Sequence, residues 1–186
     1  MHTRSLSLIA GIGVAVFLAI VIALHLIQPG YDPRTQFMSE LALGRFGGLL
    51  VGAFGGLAAA VAAIAVGFRI HGFPLLLSLL LGGGAFCFLL AGLITLALSA
   101  QVHIALVAIA FVLCGLVMYL LPRCNLSIFS DWRAYALSWG SGLLMCGATG
   151  LGGSVIAEGI AQRVSAIALL FWLSFVAWRL AAGSVK

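Results

Sequence analysis

The chain has 186 residues, of which 64% are hydrophobic and 7% are charged, with a formal net charge of +5 at pH 7. Soluble domains are about 45–50% apolar and about 25% charged, so this composition excludes a soluble globular protein. The nine basic residues are scattered singly, without a basic cluster or interleaved aromatic residues. This pattern predicts no nucleic-acid partner.

Uncharged apolar segments of about 20 residues can cross the roughly 30 Å of hydrocarbon in a bilayer. Six such segments fit into the sequence with only short connectors between them. We therefore predict an all-α fold, a polytopic integral membrane bundle that forms one domain over residues 1–186. The predicted spans cover about 5–27, 46–68, 75–99, 102–121, 134–157 and 164–180.

The longest polar interruption runs from Gln28 to Arg45, directly after the first predicted span. Its Asp32-Pro33 pair is a helix-start signal, because an Asp side chain caps exposed backbone amides and Pro presets the first helical φ angle. We predict a short interfacial helix over about 33–43, with Phe37, Met38 and Leu41 on its apolar side.

Small residues recur at every fourth position in two of the predicted spans. They include Gly48, Gly52 and Gly56 in the second span and Gly142 and Gly150 in the fifth. This spacing gives a flat face on which two helix backbones can approach closely. We predict that both faces are helix-packing seams, with a lipid chain as the alternative occupant of the second.

Six spans would place both termini on one side of the membrane. That side carries six basic residues and the opposite side carries three, and an excess of Lys and Arg marks the cytoplasmic side. We therefore predict a multi-pass cell-membrane protein with both termini in the cytoplasm. The predicted outer side then holds three of the four acidic residues, namely Asp32, Glu40 and Glu158, together with His25 and His103.

A charge that is isolated beside the membrane is costly, so these groups are expected to form one outer polar cluster. We expect at least one of the three outer carboxylates to pair with an arginine of the same side. The candidate arginines are Arg34, Arg45 and Arg163. We also expect His103 to face the bundle rather than the lipid.

Three parts of the sequence resemble a known family: the segment GYDPRTQFMSELALG, the histidine that opens the fourth predicted span, and the ending EGIAQRVSAIALLFWLSFVAWRL. Together they are similar to the multi-spanning membrane proteins of the domain of unknown function 998 family, over nearly the whole chain. The resemblance implies a multi-spanning topology and no agreed activity. It marks as signature positions Tyr31, Asp32, Pro33, Ser39, Glu40, His103, Gln162 and Arg163.

Three roles are open for the outer polar cluster: a structural role, a binding role, and a catalytic role that is described below. The residues can be purely structural, or they can bind a lipid head group, another membrane protein or a second copy of the chain. In a binding role, the three arginines would hold phosphate. We predict the lipid- or partner-binding role and no cofactor.

The alternative is a membrane-embedded hydrolase that acts on a lipid ester or amide. One version would use His25 and His103, with Asp32, Glu40 or Glu158, as ligands of a zinc-like ion. The other would use Ser39 as nucleophile and His103 as base. No HExxH or GxSxG motif supports either version. Family members often carry an acidic residue before the histidine, and Leu98-Ser99-Ala100-Gln101 has none, which counts against the metal site.

Overall fold

The computed structural model describes residues 3–124 and 127–183. Within these ranges the long elements are six α-helices, which we number in chain order. They are α1 (Thr3–Ile27), α2 (Leu49–Ile70), α3 (Leu75–Leu93), α4 (Leu96–Leu120), α5 (Trp132–Leu151) and α6 (Glu158–Gly183). Each helix packs against the next along the chain, and α6 returns to α1, so the helices close into a ring.

Two glycines allow a close approach between α1 and α2. A Cβ atom built on Gly13 would lie 2.3 Å from the carbonyl oxygen of Gly56, and one built on Gly56 would lie 2.9 Å from the carbonyl oxygen of Gly13. A Cβ on Gly52 would meet Ile20 of α1 at 3.3 Å, whereas Gly48 has no such neighbour within 4 Å. The seam therefore runs through Gly52 and Gly56 and does not extend to Gly48.

The small-residue face of α5 is only partly covered. A Cβ on Gly142 would lie 3.3 Å from the side chain of Met118 on α4, but one on Gly150 would meet no atom within 4 Å. Gly142 therefore lies in a helix contact, and the prediction that Gly150 does so is wrong, because no other helix comes that close to it.

Five of the helices are long and apolar enough to cross a bilayer within the described residues: α1, α2, α3, the segment Leu96–Cys124, and α6. The protein is therefore a multi-pass membrane protein by this criterion. The α5 helix is not among the five, because Arg133, Ser138 and several aromatic residues make it less apolar than its neighbours.

The predicted boundary between the third and fourth spans is wrong. The α3 helix ends at Leu93, six residues before the predicted end, and α4 begins at Leu96 after a two-residue connector. The polar sequence at positions 99–101 marks a kink inside α4 instead, where Ser99 has φ −161° and ψ 104°. His103 lies four residues after this kink, in the first turn of the second part of α4, and it is buried.

The predicted interfacial helix over 33–43 is replaced by a turn and a 3-10 helix, Met38–Leu43. The carboxylate of Asp32 accepts hydrogen bonds from the backbone N–H of Arg34 (3.0 Å) and the hydroxyl of Thr35 (2.7 Å). The carboxylate of Glu40 accepts one from the backbone N–H of Phe37 (2.9 Å). These local bonds compete with helical hydrogen bonds, so the helical part is shorter than predicted.

The helix ends on the terminal side of the bundle are joined by an aromatic and ionic group. Phe68 stacks on Phe73 with ring centroids 4.5 Å apart, and Phe129 packs edge-on against Phe73 at 5.7 Å. Arg179 near the end of α6 forms an ion pair with Asp131, the residue that precedes α5, at 2.6 Å. These contacts tie the start of α5 to the end of α6.

Candidate functional site

The segment between α1 and α2, residues 28–48, folds over the first turn of α6; we call it the outer loop. A Cβ atom on Gly159 would lie 2.6 Å from the carbonyl oxygens of Arg34 and Gln36, and 2.7 Å from that of Pro33. The backbone N–H of Ile160 donates to the carbonyl of Arg34 at 3.2 Å. The loop therefore supplies a partner to an N–H group that a helix start would otherwise leave exposed.

Arg163 of α6 holds the outer loop in place. Its NH1 group donates to the carbonyl oxygens of Gln36 (3.0 Å) and Gly159 (2.7 Å). Its NH2 group contacts the hydroxyl of Tyr31 and the Nε2 atom of His25, the latter at 2.8 Å. Four contacts thus engage both terminal nitrogens of the guanidinium. We call Arg163, Tyr31 and His25 together the clasp, because their contacts hold the outer loop against α1 and α6.

The ring nitrogens of His25 have distinct roles. Nδ1 lies 2.7 Å from the carbonyl oxygen of Val21, so it carries the proton in the neutral ring, and Nε2 accepts from Arg163. Burial raises the pKa of the Tyr31 phenol above its ordinary value of 10.0, against the opposing effect of Arg163. The phenol is therefore protonated, and it donates to the carbonyl oxygen of Phe37 at 2.8 Å.

The expected pairing between an outer arginine and an outer carboxylate is wrong. Among the described residues the ion pair is the one between Arg179 and Asp131, at the opposite end of the bundle. Arg34 and Arg45 are exposed, and Arg45 lies over the ring of Phe46, 5.4 Å from its centroid. The local acceptor role of Asp32 lowers its pKa, chiefly through the bond from the Thr35 hydroxyl.

The 3-10 helix of the outer loop is fixed to α6 by Gln162. Its Oε1 atom accepts a hydrogen bond from the backbone N–H of Met38 at 2.5 Å. Ser39, the next residue, is buried, and no hydrogen bond to its hydroxyl occurs within the part of the chain that the structure describes. The loop thereby closes over a space between α4 and α6.

This space is a cavity of about 220 Å³, which we call the His103 cavity. Its lining combines polar and apolar side chains. The polar side chains are Ser39, His103, Thr149, Glu158 and Gln162. The remaining lining residues are Phe37, Ile104, Val107, Ala108, Phe111, Gly152 and Ala161.

His103 is held in one orientation. Its Nδ1 atom lies 2.8 Å from the carbonyl oxygen of Ala91 and 3.0 Å from that of Ile94, at the end of α3. Its ring packs edge-on against Phe54, with centroids 5.5 Å apart. The other nitrogen, Nε2, is buried and has no hydrogen-bond partner among the described residues. An unsatisfied buried acceptor of this kind costs about 1–3 kcal/mol.

The structure places the predicted cluster residues in separate surroundings. Tyr31, Arg163 and His25 belong to the clasp, while Ser39, His103, Glu158 and Gln162 line the cavity. Asp32 and Glu40 brace the outer loop itself, and neither lines the cavity. The two histidines are therefore in different surroundings, and within the described ranges no three His, Cys, Asp or Glu residues converge as metal ligands.

The face of α4 that lines the cavity was not predicted from the sequence. His103, Ile104, Val107, Ala108 and Phe111 fall on one face of α4, at the helical spacing of three and four residues. That periodicity was present in the sequence, but a helix that is apolar all round gives no signal for which face borders a cavity. The role of Gly159, which lies inside the GxxQR element, was also missed.

A family model described as "Protein of unknown function (DUF998)" matches residues 11–179. No curated protein and no solved structure matches the chain. The match spans the outer loop, the clasp and every residue of the His103 cavity.

Proposed function

The chain belongs to the DUF998 family, which is described as one of unknown function, and we propose that this protein binds a membrane lipid in the His103 cavity. The observation that carries the proposal is the mixed lining of the cavity, in which five polar side chains stand among apolar ones. A lipid likewise combines a polar head group with a hydrocarbon chain.

The position of the cavity fits such a ligand. Its roof is the outer loop, and its flank is formed by α4, where Ile104 is 51% exposed on the surface that would face the hydrocarbon. A chain could therefore leave the cavity sideways into the bilayer. At about 220 Å³ the cavity is smaller than the roughly 300–1,000 Å³ of pockets that enclose a whole drug-sized ligand. It suits a head group and the first part of one chain.

The proposal does not use the three outer arginines as a phosphate-binding site. None of Arg34, Arg45 and Arg163 is part of the cavity lining. Arg163 already donates to the outer loop and to the end of α1. The clasp instead keeps the roof in place over the ligand, so binding by the arginines themselves is not part of the proposal.

We also propose that the chain crosses the membrane six times, with both termini in the cytoplasm. Both ends of α5 are joined to α6: Asp131 pairs with Arg179 at one end, and the hydroxyls of Thr149 and Ser165 lie 2.9 Å apart at the other. Twenty helical residues rise about 30 Å. A helix that lies along the full length of a spanning neighbour would cross with it, and the basic residues then favour cytoplasmic termini.

The hydrolase alternative has one favourable observation, since Ser39 and His103 line the same cavity. A nucleophile and its base must lie within hydrogen-bonding distance. No hydrogen bond joins these two side chains in the described structure, and the buried Nε2 atom has no partner. The proposal therefore covers binding and includes no bond cleavage.

The test is native mass spectrometry of the protein released from membranes, with two matched variants. Both Ala105 and Ala108 are exposed on α4, but only Ala108 lines the cavity, so Ala108→Trp would obstruct it and Ala105→Trp places the same side chain outside the lining. We expect a retained lipid on the wild type and on Ala105→Trp, and its loss from Ala108→Trp. Equal lipid on all three, or none on the wild type, would refute the proposal. A bound protein or a dimer would instead indicate a partner-binding role.

A further inference from the structure

We infer that the lipid in the His103 cavity has a head group that donates hydrogen bonds and carries no negative charge. This inference rests on the proposed function and names the class of lipid for the same cavity. It follows from the polar atoms that the protein leaves without partners there.

The first step is the proton position on His103. Two carbonyl oxygens, those of Ala91 and Ile94, approach Nδ1 within 3.0 Å, and a carbonyl oxygen can only accept. Nδ1 must therefore carry the proton. A doubly protonated ring would be a buried charge, and no carboxylate forms an ion pair with it in the described part of the chain. The neutral ring leaves Nε2 as a bare acceptor.

The second step is what can satisfy that acceptor. Nε2 is closed to solvent. A head group must displace a neighbouring side chain to reach it, and the hydrogen bond that forms there offsets this cost. Only a donor, such as a hydroxyl or an amine, can form that bond. An ester, a carboxylate or a fully ionised phosphate offers acceptors alone.

The third step concerns the other polar side chains. Glu158 supplies a carboxylate, which also only accepts, and the cavity lining contains no arginine or lysine. The Oε1 atom of Gln162 is occupied by the N–H of Met38, so this side chain has its amide donors left for a ligand oxygen. A head group with hydroxyls can donate to His103 and Glu158 and accept from Gln162. An anionic head would meet a carboxylate without a compensating cation.

The experiment is competitive binding to the purified wild-type protein in detergent, read by native mass spectrometry. The probes are monoolein, which has two hydroxyl donors, methyl oleate, which has the same chain and no donor, and oleate, which is anionic. We expect monoolein to be retained about tenfold better than either competitor, as one or two net hydrogen bonds would give. In His103→Phe, which keeps an aromatic ring and removes the acceptor, this preference should fall to about twofold or less.

Each outcome decides one of the two proposals. Equal retention of monoolein and methyl oleate would overturn the head-group inference and leave lipid binding in place. Preference for oleate would overturn the inference directly. Retention of none of the three, with no endogenous lipid, would overturn the proposed function itself. If His103→Phe does not fold, the comparison of the three probes on the wild type still decides.

Discussion

Gly159→Ala tests whether the outer loop rests on the first turn of α6. The added Cβ would lie 2.6 Å from two loop carbonyl oxygens and 2.7 Å from a third, where ordinary contact begins near 3.4 Å. The loop would have to move outward and lose the hydrogen bond between Ile160 and Arg34. Overpacking costs about 1–3 kcal/mol and the lost bond about 0.5–1.5, while alanine regains about 0.5–1 in helix propensity.

The net expectation is a destabilisation of roughly 2 kcal/mol, or a melting temperature lowered by about 4–8 °C for a protein of this size. The assay is thermal unfolding in a fixed detergent. Gly147→Ala is the matched control, because the same methyl group on α5 would meet no atom within 4 Å. A Gly159→Ala protein that melts at or above the wild-type temperature would refute the packing of the loop on α6.

Three further changes test the bundle. Gly56→Leu should lower the melting temperature clearly, because it separates α1 from α2, whereas Gly55→Leu meets open space and should not. Equal effects would mean that the seam is misplaced. Hydrogen bonds from the first turn of α5 and from its arginine partner lower the pKa of Asp131 below its ordinary 3.8. The stability that this carboxylate contributes is present above about pH 4 and is lost as the pH falls through the lowered pKa. The melting temperature of Asp131→Asn should therefore fall less than that of the wild type as the pH is lowered below about 4. An acid profile that is identical in the variant would contradict this. In a cysteine-free background, a membrane-impermeant thiol reagent applied from outside should label Arg34→Cys and not Ala182→Cys, and the opposite result would reverse the proposed orientation.

The class of protein followed from the sequence alone. Hydrophobic composition is a sum over residues, so it indicates membrane-spanning helices without any knowledge of their packing. The YDP and GxxQR elements also identified the family that residues 11–179 match. Alternating helix directions bring the end of α1 and the start of α6 to the same face, which is why His25 and Arg163 could be assigned to one side before their contact was known.

The partners of the charged groups depended on local geometry that composition does not encode. Opposite charges on one face suggested ion pairs, yet Asp32 and Glu40 accept from N–H and O–H groups within four residues of themselves. Those groups are covalently close, so the bonds cost little additional chain entropy. Arg163 was left to carbonyl, hydroxyl and imidazole partners, and these become neighbours only when α1, α6 and the outer loop assemble.

The His103 cavity was decided by tertiary structure. Ser39, His103 and Gln162 were each marked by the sequence, but their shared cavity depends on where α4 begins and which of its faces turns inward. Lipid and protein interior are equally acceptable to apolar side chains, so a membrane-spanning helix can be apolar on every side. Its sequence then does not show which face packs inside the bundle. The sequence therefore determined that the chain forms long apolar helices and which polar residues lie in the segments between them. Only packing among the helices decided that His103 would line a cavity while one of its ring nitrogens is buried without a partner among the described residues.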